Sequence, residues 1–302
     1  MATSDPHPGR GRDADGFRED AAELERECGA FVHSVVEAAD ADGVVVAMSG
    51  GIDSTTAATL AAEALGPASV YGLILPAAPN DTSNLYDAQR AAFDLGIQFR
   101  TVDVQPVVDA LTDAMDQEYW LQQAAAVVAA GADADVTLCD PIGLADGYDE
   151  AVGNATARAR MMATYFEANL RDRLVLGTGN RSELLLGYFT KYGDGGVDLL
   201  PLGGLYKTEV RRLATHLGVP TEIVEKEPTA GLWEGQTDAE ELGASYETID
   251  AVLRKLVDED CGVERTAAEL DVDRDLVGRF DSMRRRAEHK SRLPPTPATY
   301  VA

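Results

Sequence analysis

Lysine is almost missing from this chain. Its 302 residues include 26 basic ones, of which five are lysine (Lys191, Lys207, Lys226, Lys255, Lys290) and 21 arginine, against 52 Asp and Glu, for a formal net charge of −26. A surface this acidic repels DNA, RNA and anionic membranes, so a general nucleic-acid or lipid-surface role is excluded. The acidic residues are spread along the whole chain rather than gathered in a tail. That is the composition of proteins that work in concentrated salt, where screening collapses self-repulsion, and halophilic behaviour is expected. Cysteine is scarce too. Cys28, Cys139 and Cys261 are widely spaced, with no Cys-x-x-Cys to support a zinc ribbon or a dithiol relay. The odd count fits a reducing cytosol, and a cytoplasmic location is expected. No run approaches the ~20 apolar residues of a membrane helix. Residues 1–16 are polar, with no apolar core for a secretory signal. They read as a flexible extension ahead of a single domain over 17–302. No internal repeat is found.

What is present concentrates first at residues 44 to 54, Val-Val-Val-Ala-Met-Ser-Gly-Gly-Ile-Asp-Ser. An apolar β-branched run is a buried parallel strand. It stops at Ser49-Gly50-Gly51, and a helical stretch is expected from Thr55 to Leu65. Such a turn leaves backbone N–H groups free at a helix N-terminus, an anion site. Gly50 and Gly51 let the backbone approach a phosphate, and Ser49 and Ser54 add hydroxyls. Asp53 would repel phosphates unless a divalent cation lies between. No Lys follows the glycines, so this is not a Walker loop.

Periodicity places the remaining elements. An amphipathic helix is expected over Asp20–Ala39, strands over Ser69–Leu75, Gln98–Val104 and Leu174–Leu176, and helices over Asp87–Leu95 and Asn154–Leu170. Two further helical stretches are expected from Val107 to about Ala130, followed by a long mobile loop over Gly131–Gly153. After Leu205 the chain reads as mostly helical, closing with Asp273–Ala287. Alternating strands and helices imply a doubly wound parallel sheet with helices on both faces and a helical C-terminal region. Ligands belong at the carboxyl ends of its strands. The Ser49 turn, the 76–82 loop and Gly177-Thr178-Gly179-Asn180 all fall there.

The second block of chemistry starts at Gly177. Small residues end a strand and a helix opens with Glu183. Taken alone, Glu183 reads as a capping carboxylate. If its strand neighbours that of Asp53, the two carboxylates meet and form a Mg²⁺ site. Gly187-Tyr188-Phe189-Thr190-Lys191-Tyr192-Gly193-Asp194-Gly195-Gly196-Val197-Asp198 follows. Its glycines, acids and lysine exclude a regular helix and require a shaped loop. The three arginines Arg284 to Arg286 read as a dipole-complementing helix end.

The Ser-Gly-Gly-x-Asp-Ser segment resembles the pyrophosphate loop of the N-type ATP pyrophosphatases, a Rossmann-like fold. The Phe189–Gly196 string is similar to that of the ammonia-dependent NAD⁺ synthetases. So are Gly153-Asn154-Ala155-Thr156-Ala157-Arg158, Lys226-Glu227-Pro228-Thr229-Ala230 and Glu288-His289-Lys290, in that family's order and spanning residues 44 to 290. The resemblance implies ATP-dependent amidation of deamido-NAD⁺ with ammonia, through an adenylated intermediate, giving NAD⁺, AMP and pyrophosphate. It implies that Ser49, Gly50, Gly51 and Ser54 cradle pyrophosphate and that Asp53 and Glu183 bind Mg²⁺. It places Thr178, Lys207 and Thr229 on ATP, and Asn154, Arg158, Lys191, Asp198, His289 and Lys290 on deamido-NAD⁺. Asp194 is expected near the reacting carbonyl, holding ammonium and taking a proton. The resemblance also implies a homodimer, with no nucleic-acid or membrane partner. An attached amidase domain has no room before residue 44, so ammonia should be used directly. The alternatives are another ATP pyrophosphatase, such as a GMP synthetase core, and a non-catalytic ATP-binding module on the same fold. The first should lack the Phe189–Gly196 string. The second has no need for both Asp53 and Glu183.

Overall fold

The computed structural model describes residue 13 and residues 16–77, 82–115, 144–229 and 237–296. Four strands, β1 (Val44–Ala47), β2 (Val70–Ile74), β3 (Gln98–Thr101) and β4 (Leu174–Leu176), pair in the order β3-β2-β1-β4, all parallel. The chain winds outward from β1 to β3 and then returns to the other side of β1. β1 and β4 are therefore neighbours at the point where the winding reverses, with Val44 opposite Leu174 and Val46 opposite Leu176. That reversal opens a crevice at the strands' carboxyl ends, where Ser49 and Thr178 lie.

The period-2 alternation of β1 sorts the core. Val44 and Val46 face a layer built from α1 (Ala21–Ala38), α2 (Ile52–Leu65), α3 (Thr82–Asp94) and α7 (Lys207–His216). Val45 faces the opposite layer, where α5 (Leu144–Leu170) contributes Ala159 and Ala168. Both layers exclude water from β1, and all three valines are fully buried, as a central parallel strand requires. A third apolar cluster lies in the helical C-terminal region, α9 (Asp238–Leu242), α10 (Tyr246–Val257), α11 (Val263–Leu270) and α12 (Arg274–Ala287), joined by Leu186 and Tyr206. Helix α6 (Arg181–Leu186) and the short α8 (Thr221–Val224) complete the described elements with α4, which covers residues 105–115.

Several boundaries differ from expectation, each for a physical reason. Helix α2 begins at Ile52, three residues early, with Gly51 as its N-cap. Asp53 and Ser54 are thus part of the helix rather than the turn. Thr55, Thr56 and Thr59 are tolerated in its buried body because each hydroxyl donates to the carbonyl four residues back. Helix α3 starts at Thr82, five residues early. Strand β3 ends at Thr101, although Val102 and Val104 still donate to Ile74 and Pro76. Residues 144–153, expected to be loop, form the first turns of α5. Gly147 and Gly153 each weaken a helix by only about 1 kcal/mol, and Val152 packs against the core of that layer. The expected loop over 131–143 and the expected helix beyond residue 115 lie outside the described residues, as do residues 78–81 of the 76–82 loop.

At the other end, Asp13 and Gly16 of the expected extension are described. Asp13 Oδ1 accepts from the Phe17 N–H at 2.8 Å and its Oδ2 pairs with Arg212. Phe17 is buried edge-to-face on Tyr206, 5.5 Å between ring centroids.

Candidate functional site

The Ser49 turn is held by its own hydroxyls. Ser49 Oγ lies 3.0 Å from Ser54 Oγ, the Ser49 N–H donates to Ser54 Oγ at 3.1 Å, and the Gly51 N–H donates to Ser49 Oγ at 3.3 Å. No side chain caps the first turn of α2, so its amides remain available to an anion. Gly51 has open space where a side chain would be, apart from Ser49 Oγ at 3.4 Å. Gly50 also meets a steric demand that the sequence did not show. Its φ is +79°, and a Cβ there would lie 2.2 Å from the Asn84 carbonyl oxygen. Its missing side chain lets α3 close over the turn. Lys226 pins the same end of α3 by donating to Asn84 Oδ1 at 2.9 Å and pairing with Asp87.

Across the crevice, Asn180 caps α6 in a capping box. Its Oδ1 accepts from the Glu183 N–H at 3.1 Å, and Glu183 Oε2 accepts from the Asn180 N–H at 3.2 Å. Glu183 is therefore a capping residue as well as a site residue. One oxygen holds the cap while the other turns toward β1. There Lys207 Nζ donates to Asp53 Oδ2 at 2.5 Å and lies 3.4 Å from Glu183 Oε1. Asn180 Nδ2 donates to Asp53 Oδ1 at 3.0 Å. The expected meeting of Asp53 and Glu183 is thus observed, joined by a lysine that is only 2% exposed. A solvated helix-end lysine is ruled out by that burial.

Burial pushes Glu183 up to about 8, assisted by the Asp53 charge and opposed by Lys207. Burial alone would lower Lys207, but the Asp53 and Glu183 carboxylates outweigh it and hold the ammonium charged. The two carboxylates offer hard oxygen donors on converging elements, which suits a small divalent cation that takes its other ligands from phosphate and water.

The remaining expected residues form a second group around the 187–196 loop. Asn154 Oδ1 accepts from Thr190 Oγ1 at 2.7 Å, and Arg158 donates to the Lys191 carbonyl at 3.4 Å. Asp194 Oδ1 accepts from the Thr190 N–H at 2.9 Å. Desolvation by the surrounding protein pushes its pKa up, and its charged neighbours are Lys290 and Arg160, whose Nε is anchored on the Leu75 carbonyl at 3.0 Å. Lys191 Nζ donates to the His289 carbonyl at 2.6 Å, while Lys290 Nζ donates to the Gly187 and Phe189 carbonyls at 2.7 and 2.9 Å. These two lysines latch the loop onto the end of α12. At the same seam Gly187, at φ +70°, would place a Cβ 2.2 Å from that of Ala287. Asp198 is spent on the scaffold, accepting from Tyr165 Oη at 2.9 Å and the Val175 N–H at 2.7 Å. Thr178 is half-buried at the end of β4. Thr229 and His289 are exposed.

Sequence reasoning missed Asn180, Asp238, Tyr246 and Asp250. The buried Asp250 accepts from Ser182 Oγ at 2.5 Å and the Thr208 N–H at 2.8 Å, tying α10 to the starts of α6 and α7. Asn180 could have been found as the N-cap residue three before Glu183.

A doubly wound parallel sheet with an uncapped Ser-Gly-Gly turn and two carboxylates around a buried lysine defines an α/β enzyme acting on nucleotide phosphates. The model of the NAD synthase family matches residues 24–294. The NH3-dependent NAD⁺ synthetase of Halobacterium salinarum is 43% identical over 267 residues, 88% of this chain and 90% of that protein. That of Pyrococcus furiosus is 43% identical over 252 residues, 83% and 86%. Among solved structures, an NMN synthetase from Francisella tularensis superposes with a TM-score of 0.74 at 32% identity, over 92% of this chain and 99% of that one. An NH3-dependent NAD synthetase from Campylobacter jejuni gives 0.67 at 28%, with the same coverage. The chain belongs to the NAD synthase family.

Proposed function

We propose that this chain amidates deamido-NAD⁺ with ammonia at the expense of ATP, giving NAD⁺, AMP and pyrophosphate. The observation that carries the reading is the convergence of Asp53, Glu183 and Lys207 beside the uncapped first turn of α2. A free carboxylate is a poor electrophile. Its oxygen therefore forms a bond to the α-phosphorus of ATP as the bond to pyrophosphate breaks. The hydroxyls of Ser49 and Ser54 and the first-turn amides of α2 receive the pyrophosphate, with Lys207 and Thr229 on the phosphates and Thr178 at the crevice floor. Asp53 and Glu183 would hold Mg²⁺, which would supply positive charge against the leaving oxygens. Positioning supplies much of the remaining acceleration.

Asn154 and Arg158 on α5, Lys191 in the 187–196 loop, Asp198 just after it, and His289 and Lys290 beyond α12 surround the place that receives the dinucleotide. In that role Lys191 and Lys290 contribute the donors left over from their carbonyl bonds. Ammonia then attacks the adenylated carbonyl and AMP leaves. Asp194 holds the incoming ammonium and takes its proton. Residues 17–302 act as one domain, in the cytoplasm. Among the described residues no helix is long and apolar enough to cross a membrane.

The test is incubation with ATP, Mg²⁺, deamido-NAD⁺ and a nitrogen source. Ammonium supports NAD⁺ formation, and glutamine freed of ammonia does not. Glutamine-dependent turnover by this chain alone would refute direct ammonia use. Because one structural neighbour is an NMN synthetase, a parallel arm offers nicotinic acid mononucleotide. Preference for the mononucleotide would reassign the substrate.

A homodimer is supported by an apolar stripe on α5. Met162, Phe166 and Leu170, four residues apart, are 54%, 67% and 68% exposed. Buried in a dimer, the stripe would be an interface core. Phe166→Asp should then shift the sedimenting species to monomer. An unchanged dimer would place the interface elsewhere.

The net charge of −26 predicts salt dependence. The Debye length falls to roughly 3 Å near 1 M salt, which screens carboxylate repulsion within and between subunits. The melting temperature should rise with KCl well beyond about 0.15 M. A flat or falling series would remove the halophilic reading.

A further inference from the structure

Behind Lys207 lies a buried group that the reaction above does not use. The Tyr246 ring faces the ammonium, with its centroid 5.0 Å from Lys207 Nζ, within range of a cation–π contact. Tyr246 Oη donates to Asp238 Oδ2 at 2.9 Å. Asp238 is 4% exposed and Tyr246 3%. Tyr188 Oη lies 3.3 Å from Asp238 Oδ1 and donates to Glu241 Oε2 at 2.7 Å, tying the substrate loop to α9. Burial first, and then the charges of Glu183, Asp238 and Asp53, keep Tyr246 protonated, so it is a fixed donor. Lys207 pairs directly with Asp53 and Glu183, and the Asp238 charge acts on it at longer range. Burial raises the Asp238 carboxyl, and Lys207 is the largest charge opposing that rise.

This arrangement rests on the reading of function given above. When Asp53 and Glu183 serve as metal ligands, Lys207 loses both of its close counter-ions. We infer that Asp238 and Tyr246 are positioning residues for Lys207. They keep its ammonium against the back wall of the crevice and aimed at the pyrophosphate end of ATP. The ring limits how far the ammonium can retreat. The Asp238 charge, fixed by the Tyr246 hydroxyl, remains as its partner.

Three variants separate this role from a merely structural one: Asp238→Asn, Tyr246→Phe and Tyr246→Leu. The side-chain amide introduced by Asp238→Asn would still accept the Tyr246 hydroxyl, so only the charge is lost. Asp238→Asn should lower kcat roughly tenfold, the scale of one weakened transition-state contact. It should also weaken binding of inorganic pyrophosphate measured by calorimetry. The KM for deamido-NAD⁺ and the melting temperature should stay near wild type. Tyr246→Phe, which keeps the ring, should lose less than Tyr246→Leu. The inference is overturned if Asp238→Asn keeps wild-type kcat and pyrophosphate affinity, or if it lowers the melting temperature and shifts both substrates' KM together. If Tyr246→Leu does not fold, Asp238→Asn decides alone. If the wild-type protein makes no NAD⁺, the functional reading fails, while the pyrophosphate titration still tests the contact.

Discussion

Asp53→Asn and Glu183→Gln should each reduce NAD⁺ synthesis by a factor of at least ~100, the scale of removing one strong electrostatic contact from the transition state, and both proteins should remain folded. The structure gives the reason for both halves. Asp53 and Glu183 are 18% and 17% exposed at the crevice, outside the apolar clusters, so no cavity forms. The amide oxygen of an Asn at position 53 still accepts from Asn180 Nδ2. A Gln at position 183 still accepts from the Asn180 N–H, because a capping box takes Gln as well as Glu. What each change removes is one anionic oxygen aimed at the neighbouring element, and with it half of the proposed metal site. The check is steady-state turnover with Mg²⁺ titrated to saturation, alongside thermal melting. Near-normal turnover of either variant at high Mg²⁺ would dismiss the metal pair. A large drop in melting temperature would show that the lost activity reported on folding instead.

Much of this centre was legible because it lies at strand ends. Val44–Ala47 followed by Met-Ser-Gly-Gly, and Leu174–Leu176 followed by Gly-Thr-Gly-Asn, mark two carboxyl ends by composition alone. The winding rules of a parallel sheet then make their meeting plausible before any coordinate is known. Lys207 stood out because lysine is so rare. Other features depend on contacts that no local pattern encodes. Gly50 resembles a phosphate-binding glycine, yet its steric constraint is the Asn84 carbonyl, 34 residues away in sequence. Asp238 and Tyr246 read as an ordinary helix start and an amphipathic aromatic. Only the packing of α10 against α7, with Asp238 held to Tyr246, brings them to the lysine. Asp198, expected on the ligand, also accepts from Tyr165 and the β4 backbone, a contact that no local pattern encodes. The early start of α5 was missed because two glycines and several aspartates suggest a loop. Their local cost is small beside the packing of a 27-residue helix.

Lys207→Met should destabilise the metal-free protein by about 3–5 kcal/mol at alkaline pH, the usual cost of removing one partner from a buried ionic group. With the ammonium gone, Asp53, Glu183 and Asp238 face one another with no cation among them. Methionine keeps an unbranched apolar side chain in place of the lysine stem, so the loss is mainly electrostatic. The sign of its pH dependence follows from Glu183. Its carboxyl is already raised to about 8 by burial and by Asp53, with Lys207 opposing. Removing Lys207 raises it further. A carboxyl whose folded pKa lies above its unfolded value favours the folded state below the unfolded pKa, and loses that contribution as pH rises through the folded one. The deficit of Lys207→Met should therefore be small in mildly acidic buffer and grow toward alkaline pH. Added Mg²⁺ should recover part of it by supplying the missing positive charge between Asp53 and Glu183. Lys207→Arg keeps the charge but not the shape of the ammonium, so it should retain most of the stability and little of the activity. Denaturant melts of the three proteins across pH, with and without Mg²⁺, read all of this directly. A Met variant within ~1 kcal/mol of wild type at alkaline pH, well under the expected cost of a broken buried pair, would mean that the lysine does not hold these carboxylates together.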